Sequence, residues 1–401
     1  MAVCHRKPPH ALLVPYPLQG HIVPAVHLAT KLASRGFTIT FVYTEAIHHQ
    51  TSRAASGVDR DIFAAARAWG LDVRCELVND GLPLMRKLSL HADPPVTCLI
   101  ADTFFVWPST LAKKFGLPYV SFWTEPALVF TLYYHLDLLI KHGHFASHDN
   151  SEDTITYVPG VAAIEPADLM SYLQERDVSS LEHQIIFRAF EEAKGADLVL
   201  CNTVQELEPE TISALQLEKP FYAIGPIFPA GFTKSAVATS LWAESDCSRW
   251  LDSKPPGSIL YISFGSYAHT AVLSHRSIGA FLTHCGWNSI LESVWCGVPL
   301  LCFPLLTDQF TNRKLVVQDW RIGLDLGEKN KVGRKEVAEG IESVMGEVGD
   351  ELREKVKDVR RTLERALGPQ GSSQTNLDRF IADLMQHGPQ LDGARESTLR
   401  H

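Results

Sequence analysis

Apolar and polar residues alternate in blocks along the chain. The stretch "HALLVPYPLQGHIVPAVHLATKLASRGFTITFVYT" opens on a short apolar run and passes through a Pro/Gly segment. It then places apolar residues at Val26, Leu28, Ala29, Leu32 and Ala33. That spacing predicts a helix, which Gly36 stops before "FTITFVYT" reads as a second strand. Strand, helix, strand is a βαβ unit, the building block of a parallel sheet with helices on its faces. "PPVTCLIADTFF" repeats the strand-then-loop pattern, and "STLAKKFGLPYVSFWT" reads as helix, turn and strand. "ADLVLCNT" and "PFYAIGPI" add two strands. Residues 225 to 257 are rich in Gly, Pro, Ser and small side chains, the composition of a linker. "SILYISFGS", "IGAFLTHCG", "GVPLLCFP" and "IGLDL" then restart the strand pattern. The pattern predicts two open α/β domains: residues 1–228, a linker region at 229–257, and residues 258–401. Ligands of such folds bind in the crevice at the carboxyl ends of the strands. Residues 389–401 are polar and predict a frayed end.

Composition narrows the function. A chain of 401 residues that is 45% hydrophobic supports two cores. Its 46 acidic and 37 basic residues give a net charge of −9, and no basic stripe with interleaved aromatics appears, which argues against nucleic acid as a partner. The eight cysteines are scattered without metal-type pairing, as free thiols in a reducing compartment are. No apolar run is long enough to span a bilayer, and the first residues lack an uninterrupted signal-peptide core. The expectation is a soluble cytoplasmic protein with no metal.

The densest chemistry lies in "FLTHCGWNSILES", residues 281–293. A strand ending at Thr283 delivers the next residues to the crevice. A helix beginning near Asn288 turns its free N–H groups and positive dipole end toward the same place, which makes an anion site suited to a diphosphate. His284 adds a hydrogen bond or a charge. Asn288 and Ser289 can cap the helix or reach phosphate oxygens, and the residues alone leave both readings open. Glu292, one turn further, can accept from the vicinal hydroxyls of a ribose. Trp287 either packs against a nucleotide or supports the loop.

These residues carry a family resemblance. Residues 271–309, "AVLSHRSIGAFLTHCGWNSILESVWCGVPLLCFPLLTDQ", resemble most of the signature box of plant family-1 UDP-glycosyltransferases. The likeness extends through "PYPLQGHIVP", "ADTFFVWPS", "FWTEPA", "GPIFP", "SFGS" and "SSQTNLDRF", and so covers most of the chain. It implies a GT-B fold, two Rossmann-like domains whose parallel sheets face a cleft, with a last helix that packs back on the first domain. It implies an inverting enzyme that moves a sugar, usually glucose, from a UDP-sugar co-substrate to a small lipophilic acceptor such as a flavonoid. A monomer without cofactor is expected.

By the same resemblance His21 matches the catalytic base and Asp102 the carboxylate that orients it. An imidazole held by a third group suits general-base work near neutral pH. On the residues alone, a His on a loop and an Asp ending a strand are more often surface or capping groups. His284, Asn288 and Ser289 match diphosphate-side contacts, with Ser266 another, and Glu292 matches the ribose carboxylate. Asp308 and Gln309 match the pair that binds the hydroxyls of the transferred sugar. Trp123 and Thr124 match a loop at the sugar and acceptor site, and Gly20 an acceptor-side position.

The box departs from the family at its start. The Trp that stacks on uracil falls at Ser266, and the Gln beside the nucleoside falls at His269. Only 18 residues separate Ser266 from His284 (284 − 266), where the family has several dozen more. The break lies near His269 and Thr270, and the absent piece should carry a helix, a sheet strand and the Trp loop. A second contraction falls between Leu84 and Asp93. Loss of a central strand leaves its neighbours' backbone groups without partners unless "SILYISFGS" and "IGAFLTHCG" pair directly, with the sheet order adjusted. The chain is then either an active transferase or a relic that binds nucleotide weakly. A third reading, another nucleotide-sugar enzyme such as an epimerase, is disfavoured by Asp308 and Gln309.

Overall fold

The computed structural model describes residues 8–45, 61–78, 92–145, 153–175, 177–228, 247–265, 270–327 and 332–387. Seven parallel strands form the first sheet, in the order β3-β2-β1-β4-β5-β6-β7. They are β1 (His10–Val14), β2 (Thr38–Thr44), β3 (Val73–Val78), β4 (Cys98–Asp102), β5 (Tyr119–Trp123), β6 (Leu198–Cys201) and β7 (Phe221–Ala223). The sequence pattern located all of these but β3, whose mixed residues "VRCELV" carry no clean apolar run. β1, β4 and β5 are buried at every position, as continuous apolar runs must be in a sheet covered on both faces. Successive side chains of β1 point to opposite faces: Ala11 and Leu13 enter one core with Ile39 and Phe41, while Leu12 and Val14 enter another with Leu99 and Ala101.

Helix α1 (Gln19–Ala33) follows β1 and covers the first of those faces. It ends where Gly36 takes a φ of 89°, a left-handed conformation that glycine adopts without steric cost. α2 (Pro108–Phe115) follows β4 with Pro in its first turn and Gly116 as a left-handed cap at its end, the asymmetry expected of a sharply bounded helix. α3 (Ala127–Tyr134) follows β5. It is buried on nearly all sides, and its first backbone N–H groups, on Ala127 and Leu128, donate to the buried Glu208 carboxyl.

The second sheet has four parallel strands in the order β11-β10-β9-β8: β8 (Ile259–Ser263), β9 (Ile278–Thr283), β10 (Leu300–Cys302) and β11 (Gly323–Asp325). Of the two outcomes open at the break, the structure shows direct pairing. β8 and β9 pair from Ile259 with Ile278 to Ser263 with Thr283, with one irregularity after Ile259. Among the described residues no gap opens in the middle of the sheet. β8 instead becomes its rim, and Ile262 and Phe264 are each 52% exposed. The residues of the break itself, Ser266 to His269, lie outside the described residues, as does most of the contraction between Leu84 and Asp93.

α4 (Trp287–Cys296) follows β9 and α5 (Gln309–Lys314) follows β10. Of the linker region, residues 229–246 lie outside the description and Ser248–Asp252 is a short helix. The final described helix, α6 (Ser372–His387), returns to the first sheet. Its Leu377, Phe380 and Leu384 join the core beneath α1, and its Asn376 amide donates to the Ala223 carbonyl at 3.0 Å. The two halves also meet at the cleft, where Trp287 Nε1 donates to the Asn202 carbonyl at 2.7 Å and Asn288 Nδ2 to the Gly20 carbonyl at 2.8 Å.

Candidate active site

In the first sheet the strand order reverses between β1 and β4, so the helices after these strands diverge and leave a crevice at their carboxyl ends. His21 and Asp102 lie on its two sides. His21 sits in the first turn of α1, not on a loop as the sequence pattern suggested, because the helix already begins at Gln19. Asp102 is the last residue of β4. His21 Nδ1 lies 2.8 Å from Asp102 Oδ2, both side chains are buried, and the Phe104 N–H donates to the other Asp102 oxygen at 3.0 Å. A proton on Nδ1, donated to the carboxylate, leaves Nε2 with its lone pair. Thr124 Oγ1 stands 3.1 Å from the same Nδ1, and the rings of Tyr16 and Phe104 hold the imidazole edge-on. His21 thus has one orientation.

Opposite lies the α4 N-terminus. Cys285 takes a φ of 69°, and Gly286 is the N-cap. No side chain caps the helix, so the reading of Asn288 or Ser289 as a cap is corrected. α4 starts at Trp287, too early for either to reach back, and Asn288 is held between Gly20 and Asn202 instead. Ser289 lines the cleft. A Cβ at position 286 would stand 2.5 Å from His284 Nε2, so glycine there is what lets the imidazole lie across the helix entrance. Burial lowers the His284 pKa, with the nearby Ser263 carbonyl opposing, and its Nδ1 has no hydrogen-bond partner among the described residues.

Trp287 is buried, its indole N–H held by Asn202 and its ring 5.8 Å from that of Trp320. Of the two roles open in the sequence, this geometry favours loop support. Trp123 is a correction of the same kind. It ends β5, is fully buried against Phe130 and Phe190, and is absent from the cleft wall. Thr124, one residue on, does line the cleft, as does Gly20.

Asp308 and Gln309 open α5. Gln309 Oε1 accepts from the backbone N–H groups of Leu305 and Leu306 at 2.9 and 3.1 Å, which leaves its amide nitrogen for a ligand. Asp308 accepts from Thr307 and Asn312, and burial raises its pKa. The loop before it is held by the other half, since the Thr307 N–H donates to Ser171 Oγ at 2.9 Å and Arg313 pairs with Asp168 at 2.5 Å.

Of the described candidate residues, all but Asp102 and Trp123 line one cavity of about 440 Å³. It also contains residues that the sequence reading missed: Asn202, Glu125, His27 and the aromatic wall of Tyr16, Phe104 and Tyr172. Asn202 follows strand β6 at the same height as Thr124 follows β5, and that shared register was the available signal. Ser266 lies outside the described residues. Among the described residues no group of His, Cys, Asp and Glu could hold a metal ion, and no helix is long and apolar enough to cross a membrane.

Comparison with known proteins places the chain in a family. The family model described as UDP-glucoronosyl and UDP-glucosyl transferase matches residues 267–349. The chain is 48% identical to UDP-glycosyltransferase 86A1 of Arabidopsis thaliana over 467 positions, covering 94% of this chain and 95% of that protein. The chain belongs to the plant family-1 UDP-glycosyltransferases. The matched 467 positions exceed the 401 residues of the chain, so this glycosyltransferase lacks internal segments that its relative carries. Its GT-B fold is shared with the structure of Phytolacca americana UGT2 complexed with UDP-2fluoro-glucose and pterostilbene. There the TM-score is 0.76 at 25% identity, covering 94% of this chain and 100% of that one. Medicago truncatula UGT71G1, solved with UDP-glucose, gives a TM-score of 0.77 at 20% identity over 94% of this chain and 98% of that one.

Glu292 carries a stability cost in this glycosyltransferase. Its carboxyl has no partner among the described residues, and burial pushes its pKa up to about 8. Ionisation therefore disfavours the folded state. Stability present below the unfolded value near 4.5 is lost as pH rises toward 8. Glu292→Gln should raise the urea midpoint at pH 8 and leave it unchanged at pH 4.5. Equal midpoints at pH 8 would show that the carboxylate is already compensated.

Proposed function

We propose that the chain transfers glucose from UDP-glucose to a hydroxyl of a small lipophilic acceptor such as a flavonoid, with inversion at the anomeric carbon and His21 as the general base. The observation that carries this reading is the His21–Asp102 pair at the strand-order reversal, with Nε2 free in a cavity that also receives the α4 N-terminus. The acceptor oxygen attacks the anomeric carbon as its proton passes to His21. The bond from that carbon to the phosphate oxygen breaks, and UDP leaves. Attack opposite the leaving group inverts the centre. Asp102 keeps the imidazole in one tautomer and stabilises its cation.

The diphosphate is assigned to the α4 N-terminus, with His284, Asn288 and Ser289 beside it and Ser266 as a further contact. Glu292 takes the ribose hydroxyls, while Thr124, Asp308 and Gln309 take those of the sugar. Gly20 borders the acceptor. The Phytolacca enzyme's complex with a fluorinated UDP-glucose and pterostilbene supports a UDP-sugar and an aromatic acceptor in this fold. In this reading residues 1–228 hold the acceptor, 258–401 the UDP-sugar and 229–257 join them. The enzyme works as a cytoplasmic monomer, and the seven described cysteines, all free, suit that reducing compartment. Incubation of the purified chain with radiolabelled UDP-glucose and a flavonoid panel tests the reading. Label on no acceptor, under conditions where the Arabidopsis relative transfers it, would reject it.

The rim position of β8 and the segments missing against the relative favour a second reading, a relic with weak nucleotide binding. Sugar-side mutants separate the two. In an active enzyme Asp308→Ala and Gln309→Ala should each lower UDP-glucose turnover by about 1 to 3 kcal/mol of transition-state binding and scarcely change affinity for UDP. Gln309→Ala should cost more, because it also frees the Leu305 and Leu306 N–H groups. An equal fall in UDP affinity would place these residues elsewhere on the donor.

A further inference from the structure

Glu125 follows Thr124 at the end of β5 and lines the cavity, yet its carboxyl has no hydrogen bond or ion pair among the described residues. Burial raises its pKa well above the ordinary carboxyl range, and the charges of Asp308 and Asp102 push it the same way. Its neighbour Thr124 stands 3.1 Å from His21 Nδ1, so Glu125 lies one residue from the base, where an acceptor must lie. Three further acidic side chains, Glu182, Glu292 and Asp308, line the same cavity, and no Lys or Arg does so among the described residues.

The histidines do not supply the missing cation. His27 lines the cavity at 6% exposure with Nε2 unpartnered, and burial alone lowers its pKa to about 4. Burial lowers that of His284 as well, and His21 faces Asp102. The diphosphate has the positive end of α4 to meet its charge, whereas the positive end of α1 on the acceptor side already has the Asp102 carboxylate beside it, bonded to His21 of its first turn. The rest of that side is apolar or aromatic, including Tyr16, Phe104, Ile185 and Ile186.

We propose that the acceptor is an uncharged or cationic small molecule whose hydroxyl or amino group is received by Glu125, and that this residue excludes acceptors bearing a carboxylate. The inference rests on the glycosyl-transfer reading and narrows its product class to glucosides of alcohols, phenols or amines rather than glucose esters. A carboxylate placed there loses its hydration and finds no Lys or Arg to meet its charge among the lining residues. An ammonium finds a carboxyl that its own charge returns to the ionised form.

Three probes with a common phenol test this: tyramine, 4-hydroxybenzyl alcohol and 4-hydroxybenzoate, titrated calorimetrically into the enzyme saturated with UDP. Tyramine and the alcohol should bind at least about ten times more tightly than the benzoate. Glu125→Gln, nearly isosteric and breaking no hydrogen bond, should remove the preference for tyramine, and Glu125→Lys should favour the benzoate. Benzoate binding as tight as that of tyramine in the wild type overturns the proposal. So does an unchanged ranking in Glu125→Gln. Transfer from UDP-glucose is measured separately. Loss of transfer with the probe ranking intact would count against the proposed function and leave the role of Glu125 standing.

Discussion

His21→Ala should lower the rate of glucosyl transfer by about 100- to 10,000-fold while UDP binding stays within a factor of two. The two effects separate because the groups involved sit on different halves. His21 is in the first turn of α1 beside Asp102, whereas the diphosphate is assigned to α4 across the cleft. Removing the imidazole leaves the acceptor's proton to water, a much weaker base than the ring that Tyr16 and Phe104 now hold edge-on. Asp102→Asn should have a smaller effect. The amide can still accept from the Phe104 N–H, but it loses the charge that favours the imidazolium. Initial rates and a UDP titration on the same preparation check both halves. Turnover in His21→Ala within threefold of wild type would remove His21 from the role of base.

Much of this site is legible in the sequence because it depends on short, local patterns. A strand followed at once by a helix places His21, and the last residue of an apolar run places Asp102. "FLTHCGWNS" sets a strand end against a helix start within six residues of Thr283. What escaped depends on contacts between distant segments. Nothing in "CNT" indicates that the Asn202 carbonyl receives the indole N–H of Trp287, 85 positions away. The resemblance put Trp123 on a loop with Thr124, whereas Trp123 is still the last residue of β5 and its burial depends on Phe130 and Phe190 from other segments. β3 carries Arg74 and Glu76 in an edge strand of the sheet, so its apolar signal is diluted. Direct pairing of β8 with β9 was one of two outcomes open in the sequence, and the spatial order puts both in contact.

That spatial order leads to the second large effect. In the first sheet the ligand crevice exists because strand order reverses between β1 and β4. The second sheet runs β8, β9, β10, β11 in one direction only, so among the described residues it has no reversal. A strand beyond β8 would create one beside the α4 N-terminus and cover Ile262 and Phe264, which now stand exposed on a rim. The relative's extra positions are long enough to hold such a strand, and the sequence break near His269 and Thr270 falls just after β8. The groups assigned to the diphosphate and ribose, His284, Ser289 and Glu292, line the cavity, whereas the Trp that the family resemblance would stack on the base falls at Ser266. Stacking a base on an aromatic ring contributes on the order of 1 to 3 kcal/mol. UDP affinity should therefore be about ten- to a hundredfold below that of the Arabidopsis relative, and preference for UDP over ADP should weaken with it. The thermal midpoint should also be lower, because the apolar surface of β8 stays in water. Inserting the relative's segment between His269 and Thr270 should restore affinity, base selectivity and thermal midpoint together, since one piece of chain supplies all three. Calorimetric titration of both proteins with UDP and ADP, and thermal melts of each, measure this directly. Tight UDP binding and rejection of ADP by the unmodified chain would mean that another aromatic group carries the base, and the loss of the segment would then explain neither property.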